Sequence, residues 1–455
     1  MRKFLLLFLL LAAHMAGLLA QDVSGDWHGA LDINGMKLRL VFHIERDGEG
    51  YIASMDSPDQ GAKGIPMGKV IVADGTVKLE APAIGARYEA KLIADSLLDG
   101  VFSQGGGRFP LRLTKGGQTA VVAKPQEPKP PFPYRTEEVR FSNDAAGISL
   151  AGTLTMPESG APHAAVILVT GSGPQNRDGE LFGHKPFWVI ADHLTRHGIA
   201  VLRYDDRGVG ASSGNFATAT SADFASDAAA AFKFLKGNPG IDPGRIGLLG
   251  HSEGGMIAPM VAAVHEDVAF LVLLAAPGVP IDSLLLTQNR MLGKASGLSE
   301  GRLDANANIN RRIYDLLREE PEGLEEQLRA LLSPVFGEQA SAALDQEMTR
   351  LTSPWMRYFI KHDPARCLRR VKCPVLALNG GNDLQVSPQE NLSGIASALG
   401  SSGNAMVTTK ELPGLNHLFQ QSRTGLPSEY GLITETISPV VLNEIREWIA
   451  GSVGI

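Results

Sequence analysis

Between residues 164 and 275, short apolar runs alternate with segments that have the spacing of amphipathic helices, such as residues 187–194 and 222–235. The apolar runs are residues 164–170, 200–204, 245–249 and 270–275. Strands that are apolar along their whole length are buried on both faces, which requires a parallel sheet with helices on each side. The alternation therefore predicts an α/β fold, mostly parallel, for residues 136–455.

The alternation stops at Pro277 and resumes with the apolar run at residues 373–378. Helical spacing recurs in the intervening segment, at residues 309–319, 323–332 and 340–352. A structureless loop of that length is rare in a compact domain. We therefore predict a helical cap at about residues 278–370, inserted between two strands of the sheet.

The most aromatic part of the predicted cap contains Trp355, Tyr358 and Phe359. Such a group at helical spacing usually packs within its own domain, and it also suits the wall of a substrate pocket. Both interpretations stay open at this point.

Residues 21–115 differ from the rest of the chain, because short alternating segments are separated by glycine turns. Asn34-Gly35, Asp74-Gly75 and Asp99-Gly100 are typical of hairpins. We predict a small antiparallel barrel or sandwich here. Residues 116–135 are rich in proline and predict an extended, fairly stiff linker to the α/β domain.

The chain has 455 residues, of which 44% are hydrophobic, and its net charge is −7. It can bury large cores, and its charge is unlike that of a nucleic-acid-binding protein. Met1-Arg2-Lys3 followed by an apolar run predicts a signal peptide at residues 1–20, cleaved after Ala20. We expect an exported, periplasmic or extracellular protein without stable membrane insertion, since the run is short and interrupted by His14, which disfavours an uncleaved anchor.

The chain has two cysteines, Cys367 and Cys373. An oxidising compartment allows them to form a disulfide, whereas two separate thiols at a helix end and a strand start are the alternative. The sequence does not decide between these states.

Residues 250–255 read Gly-His-Ser-Glu-Gly-Gly and directly follow the apolar run at 245–249. A sharp turn from strand to helix strains the residue at its tip, and side chains two positions before and after the tip would collide. Glycines 250 and 254 therefore predict that Ser252 stands at such a tip, near a helix N-terminus that favours a developing oxyanion. A chance match is the alternative in a chain with 51 glycines.

A nucleophilic serine needs a base, and the base needs an orienting carboxylate. Asp383 comes just after the apolar run 375–378, where such a carboxylate is expected, although aspartate beside glycine is also common in turns. His417 is the only histidine that follows Asp383 in the chain. The order Ser252, Asp383, His417 therefore predicts a catalytic triad.

An oxyanion hole requires two backbone donors near the serine. We predict the N–H of Glu253 as one, and the N–H of Ser172 or Gly173, in the loop after the run 164–170, as the other; Pro174 has no N–H.

Arg207 lies in a turn after the run 200–204, and we expect it to pair with Glu253 or a nearby aspartate. The sequence has no metal-binding or nucleotide-binding motif, so we predict neither a metal nor a cofactor.

With these motifs, the chain resembles the α/β-hydrolase superfamily, and within it exported bacterial serine esterases that have a small N-terminal β domain and a helical cap. The resemblance covers residues 136–455 and includes Gly250–Gly255, Asp205–Gly210 and Leu415–His417. It implies a serine carboxylesterase for small to medium acyl esters, acting through an acyl-enzyme. Ser252 would be the nucleophile, His417 the base and Asp383 the orienting acid.

Two other functions remain open from the sequence. One is a serine peptidase or amidase of the acylaminoacyl-peptidase type, although the segment before residue 115 is too short for the propeller of such enzymes. The other is a non-catalytic binding protein. We expect a small-molecule ester as the substrate; the sequence predicts neither its acyl and alcohol parts nor the oligomeric state.

Overall fold

The computed structural model describes residues 22–33, 36–48, 50–60, 62–73, 75–104, 107–116, 124–336 and 341–455. The predicted signal peptide lies outside these ranges, as do Asn34-Gly35, Asp74 and residues 117–123 of the predicted linker. Cleavage and export therefore stay predictions. Within the described ranges, no helix has the length and apolar character needed to cross a membrane.

Most of the described residues before Gly116 belong to one compact unit. Its described residues form an antiparallel sheet in the order β4-β3-β2-β1-β9-β8-β7-β6-β5. The strands are β1 (Gly25–Ile33), β2 (Met36–Asp47), β3 (Gly50–Ser57), β4 (Ala62–Met67), β5 (Lys69–Ala73), β6 (Thr76–Ala81), β7 (Ala86–Ala94), β8 (Leu97–Gln104) and β9 (Gly107–Lys115). Short 3₁₀ turns lie at Pro58–Gln60 and Pro82–Ile84. Because β3 also packs against β5, the sheet curls into a barrel-like form, which confirms the predicted all-β fold.

Alternation along these strands places one face of the curled sheet in a single core. In β6 every second residue is buried. The rings of Phe42 and Tyr88 stack there at 5.4 Å between centroids, and the Tyr88 hydroxyl donates to the carbonyl of Leu111 at 3.0 Å. The large buried aromatic residues therefore stabilise this unit by packing among themselves.

The second compact unit begins after residue 120. Its described residues form an eight-stranded sheet in the order β10-β11-β13-β12-β14-β15-β16-β17. The strands are β10 (Tyr134–Asn143), β11 (Ile148–Pro157), β12 (His163–Val169), β13 (Ala200–Tyr204), β14 (Ile241–His251), β15 (Leu271–Leu274), β16 (Val375–Gly380) and β17 (Val407–Leu412). The strands from β12 onward are mutually parallel, as predicted, and the order confirms the α/β-hydrolase fold class. The hairpin of β10 and β11 is antiparallel and has no helix in it, so the predicted alternation did not reveal it.

Helices cover both faces of this sheet and bury two separate cores. They are α1 (Pro186–Arg196), α2 (Ser221–Lys236), α3 (Glu253–Ala262), α10 (Pro388–Ser401) and α11 (Pro439–Val453). Apolar residues of α1 and α11 pack on one face, and those of α2, α3 and α10 pack on the other. Burial on both faces explains why the parallel strands are apolar throughout their length.

A helical cap lies in the chain between β15 and β16. It contains α4 (Ile281–Ala295), α5 (Glu300–Glu319), α6 (Leu324–Phe336), α7 (Ser341–Leu351), α8 (Pro354–Phe359) and α9 (Pro364–Leu368). The cap has its own apolar core, in which Leu317, Leu328 and Phe359 are buried, and Met256 of α3 belongs to the same core. The cap therefore rests on the helix that follows Ser252.

Cys367 and Cys373 are both free thiols, so the alternative of two separate cysteines describes this structure.

The last part of the predicted linker packs on the α/β unit. Lys124 Nζ donates to the carbonyl of Ile433 at 2.6 Å, Gln126 Nε2 donates to the carbonyl of Ile437 at 2.7 Å, and Lys185 pairs with Glu127 at 2.7 Å. Strand β10 begins at Tyr134, inside the range predicted as linker. This part of the segment is thus held by long-range hydrogen bonds that its composition does not reveal.

Arg207 lies in the turn after β13 and pairs with aspartates of α2. Its Nε donates to Asp227 at 2.7 Å, and its Nη1 lies 3.2 Å from Asp223. It forms no ion pair with Glu253, so of the two expected partners the structure selects the nearby aspartate. Arg207 and Asp227 are both buried, and the pair ties this turn to α2.

We expect Arg207→Met to lower the free energy of unfolding by about 3–5 kcal/mol, because it leaves the buried Asp227 carboxylate without its cation. Urea denaturation followed by circular dichroism measures the change. The double variant Arg207→Met/Asp227→Leu should regain most of the loss, since no unpaired charge is then buried. A single variant as stable as the wild type would show that the pair does not stabilise the turn.

Candidate active site

Ser252 lies between the end of β14 and the start of α3, at the strained tip of the turn. Its backbone angles are φ 55° and ψ −120°, a region that residues other than glycine rarely adopt. A Cβ on Gly250 would lie 2.0 Å from the carbonyl oxygen of Gly254, and a Cβ on Gly254 would lie 2.1 Å from that of Val169. Both glycines are therefore required for this close approach, as the sequence pattern predicted.

Backbone contacts hold Ser252 in place while its hydroxyl stays unengaged. The Ser252 N–H donates to the carbonyl of Leu274, on the adjacent strand β15, at 2.9 Å. Among the described residues, no group forms a hydrogen bond with its Oγ. The hydroxyl is thus available to an incoming molecule, and hydrogen bonds in catalytic sites often tighten only when substrate is bound.

Asp383 and His417 form a buried hydrogen-bonded pair. The Asp383 side chain is 0% exposed, and its Oδ1 accepts from the N–H groups of Gln385 at 2.8 Å and Val386 at 2.9 Å. Its Oδ2 accepts from His417 Nδ1 at 2.8 Å. Since a carboxylate only accepts, Nδ1 carries the proton, and Nε2 of the neutral imidazole is left as the basic nitrogen.

The loops that carry these two residues approach each other closely. A Cβ on Gly380, at the end of β16, would lie 2.3 Å from the carbonyl oxygen of Leu415, two residues before His417. The N–H of Asn382 donates to the same carbonyl at 2.8 Å. Glycine at position 380 therefore lets the Asp383 loop and the His417 loop meet.

His251 connects the tip residue to the His417 loop, a role that the sequence did not suggest. Its Nε2 donates to the carbonyl of His417 at 2.9 Å, and the two rings lie 4.9 Å apart. Burial, followed by the proximity of His417, lowers the pKa of His251 to about 4. His251 is therefore neutral near pH 7 and places the His417 loop next to Ser252. The position directly before the serine in G-x-S-x-G accepts many residues, so no local signal marks this contact.

The loop after β12 runs beside the tip. A Cβ on Gly171 would lie 3.2 Å from the Cβ of Ser252, and Gly173 has a φ of +92°. Asp206 holds both ends of the loop, because its carboxyl accepts hydrogen bonds from Thr170 Oγ1 at 2.7 Å and from the N–H of Gln175 at 2.9 Å. Burial raises the pKa of Asp206 to about 7. The structure thus brings Ser172 and Gly173 to the tip, where the sequence predicted a backbone donor.

Glu253, the first residue of α3, has a side chain that the sequence suggested only as a partner of Arg207, a pair that the structure does not form. It is 2% exposed, and burial raises its pKa. Its carboxylate accepts from Ser172 Oγ at 2.7 Å, Ser221 Oγ at 2.6 Å and Trp355 Nε1 at 2.9 Å. Glu253 therefore joins the loop after β12, helix α2 and the cap. At the first helical position its N–H has no partner within the helix, as a backbone donor requires.

The predicted aromatic group of the cap separates into two parts. Trp355 and Phe359 stack at 4.7 Å between centroids and line a cavity of about 400 Å³ within the cap. Phe359 also belongs to the buried core of the cap, so this residue both packs in the core and lines the cavity. Tyr358 is not among the described residues that line this cavity.

The cavity wall is mixed in character. Leu285, Ile313 and Met356 supply apolar surface, and Gln288 and Asn310 supply amide groups.

No group of three or more His, Cys, Asp and Glu side chains within the described ranges is arranged to hold a metal ion.

Among curated proteins, the chain is similar to the esterase EstD of Thermotoga maritima. The two are 27% identical over 301 residues, which cover 66% of this chain and 65% of EstD. The match therefore spans less than two thirds of the length of EstD.

Solved structures with a similar architecture include the α/β hydrolase GrgF from Penicillium sp. sh18, with a TM-score of 0.46, 19% identity and coverage of 70% of this chain and 100% of that one. Est1E from Butyrivibrio proteoclasticus, solved with ferulic acid, has a TM-score of 0.43 and 16% identity, with coverage of 70% and 100%. Likenesses this distant carry no information about the substrate.

The family profile Hydrolase_4, described as serine aminopeptidase, S33, matches residues 185–421. The matched segment includes Ser252, Asp383 and His417, together with the whole cap. Since the match covers more than half of the chain, the protein belongs to the Hydrolase_4 (serine aminopeptidase, S33) family and has an α/β-hydrolase fold.

Proposed function

We propose that the protein is a serine carboxylesterase that hydrolyses small to medium acyl esters through an acyl-enzyme. Two observations carry this proposal: the strained Ser252 with its unengaged hydroxyl, and the buried His417–Asp383 pair, whose imidazole lies 4.9 Å from the ring of His251, the residue before Ser252. Membership of a serine hydrolase family and the similarity to a protein named as an esterase support it.

In the proposed reaction, Ser252 Oγ attacks the ester carbonyl while His417 Nε2 takes the hydroxyl proton. Asp383 stabilises the imidazolium through the hydrogen bond at Nδ1. The tetrahedral intermediate collapses, the C–O bond to the alcohol breaks, and His417 returns the proton to the leaving alkoxide. Water then attacks the acyl-enzyme by the same route and releases the acid and the free serine.

The negative charge on the intermediate would be held by the N–H of Glu253 and by an N–H of the loop at Ser172 or Gly173. One such donor is worth about 3 kcal/mol of barrier. The place of Gly171 against Ser252 supports this role, because it keeps the loop within reach of the tip.

We assign the cap cavity to the acyl or alcohol part of the ester. Trp355 lines the cavity and also bonds to Glu253, the residue that follows the nucleophile. A volume of about 400 Å³ suits a group of medium size with both apolar and hydrogen-bonding parts.

If this is correct, Asn310→Trp, which fills the cavity, should raise KM for hexanoyl p-nitrophenyl ester by about 10-fold and leave the acetyl ester unchanged. Steady-state kinetics with both esters measure this split. Arg311→Trp, at the exposed neighbouring position, is the matched control. Equal effects on both esters, or no effect on either, would contradict the assignment.

The family description favours a second candidate, a serine aminopeptidase or amidase. Amide cleavage uses the same residues but requires efficient protonation of a poorer leaving group. Comparing kcat/KM for p-nitrophenyl acyl esters with that for aminoacyl anilides tests whether the protein prefers esters or amides. We expect the esters to be faster; faster turnover of the anilides would make the amidase the better proposal.

A further inference from the structure

We propose that the side chain of Glu253 is a positioning residue, which holds the oxyanion loop (residues 171–174) and the cap helix α8 in place relative to Ser252. This inference rests on the proposed serine hydrolase function and deepens it. It assigns to the carboxylate a role separate from that of the Glu253 N–H, and it connects the cap cavity to the oxyanion hole.

The two oxygens of the carboxylate face different elements. Oε2 accepts from Ser172 Oγ at 2.7 Å, and Ser172 belongs to the oxyanion loop. Oε1 accepts from Trp355 Nε1 at 2.9 Å, and Trp355 lies in α8 and lines the cap cavity. Glu253 directly follows Ser252 in the chain. The positions of the oxyanion loop and of α8 relative to the nucleophile are therefore both fixed through the side chain of Glu253.

The charge environment of Glu253 is unusual for a buried acid. None of the described lysine, arginine and histidine side chains forms an ion pair with it; its described partners are two hydroxyl groups and an indole N–H. Burial of a carboxylate without a cation is costly, so the site is not explained by stability alone. Donors on three separate elements are the compensation that the structure provides.

The consequence lies in the placement of the oxyanion donors. An N–H of Ser172 or Gly173 stabilises the intermediate only when it points at the position that the oxyanion will occupy. A displacement of about 1 Å can cost about 100-fold in rate. Ser172 is the point at which the loop is attached to Glu253, so loss of that bond should lower kcat more than it changes KM.

The test is a set of double-mutant cycles on the full chain, with Glu253→Ala, Ser172→Ala and Trp355→Phe. Trp355→Phe keeps a ring against Phe359 and removes only the indole donor. Trp448→Phe removes an indole donor that bonds to Thr408, on the edge strand β17, and is the matched control. The readouts are kcat, KM and the affinity for a trifluoromethyl ketone, whose hemiketal oxyanion occupies the oxyanion hole.

We expect Ser172→Ala to lower kcat and trifluoromethyl ketone affinity by about 10-fold, with KM changed by less than about 2-fold. In the Glu253→Ala background the same substitution should cost less than about 2-fold, because its partner is already missing. Glu253→Gln should retain most of the activity, since its oxygen can accept from Trp355 and its amide can donate to Ser172 Oγ. Trp448→Phe should behave as the wild type.

Full additivity of Ser172→Ala and Glu253→Ala would overturn the inference, as would unchanged trifluoromethyl ketone affinity in Glu253→Ala. If Glu253→Ala does not fold, the cycle of Ser172→Ala and Trp355→Phe takes its place. Coupling of about 3-fold or more between those two supports the inference, and independence overturns it. A wild type that neither hydrolyses esters nor reacts with a fluorophosphonate overturns the proposed function itself. A reactive wild type with additive variants overturns this inference alone.

Discussion

Replacing Ser252 by alanine is expected to lower kcat for ester hydrolysis by about 10⁵-fold to 10⁶-fold, because it removes the proposed nucleophile and leaves only binding and oxyanion stabilisation. The backbone strain at this position is set by Gly250 and Gly254, so alanine can take the same angles that serine takes. The measurement is hydrolysis of a p-nitrophenyl ester, together with labelling by a fluorophosphonate probe.

Ser401→Ala, which removes a hydroxyl from the exposed end of α10, is the control and should be labelled as the wild type is. A Ser252→Ala protein that still reacts with the probe would place the nucleophile elsewhere. A wild type that does not react at all would instead favour a non-catalytic binding protein.

The second large effect is expected from Asp383→Asn, which should lower kcat by about 10⁴-fold. Oδ1 of Asp383 accepts from two backbone N–H groups, those of Gln385 and Val386. The oxygen of an asparagine must keep those bonds, so its NH₂ group faces His417 Nδ1. The imidazole then accepts at Nδ1 and carries its proton on Nε2, where it cannot take the proton of Ser252.

Asp144→Asn, at an exposed aspartate paired with Lys233, is the matched control and should leave kcat unchanged. Thermal unfolding checks that Asp383→Asn remains folded. A folded Asp383→Asn variant with kcat within about 10-fold of the wild type would contradict the orienting role, since even one displaced hydrogen bond at such a site costs more.

Several parts of the fold and of the candidate site could be predicted because they depend on local chemistry. Apolar runs without alternation are compatible only with strands buried on both faces, and they predicted β12 to β16. Gly250 is required by its contact with Gly254, within the turn that carries Ser252, whereas Gly254 is required by its contact with Val169 on another strand. The positions of Asp383 and His417, after successive strands, follow from the fact that parallel strands end at the same edge of a sheet.

Other features were decided by contacts between residues far apart in the chain. Three features have no local signature in the sequence. They are the hairpin of β10 and β11, the attachment of residues 124–127 to the α/β unit, and the choice of Asp227 as the partner of Arg207. Glu253 is the clearest case, because the sequence suggested only its N–H as an oxyanion donor and its carboxylate as a possible partner of Arg207. Its role arises only when folding brings Ser172, Ser221 and Trp355 to one carboxylate.

The sequence by itself determined the classes of the two units, the strained serine and the order of its candidate partners, because steric limits and burial patterns act over short stretches of chain. The tertiary structure alone decided which side chains meet behind the serine and which residues line the cap cavity. A hydrogen bond between residues about a hundred positions apart depends on the packing of whole elements, and no local pattern of residues specifies that packing.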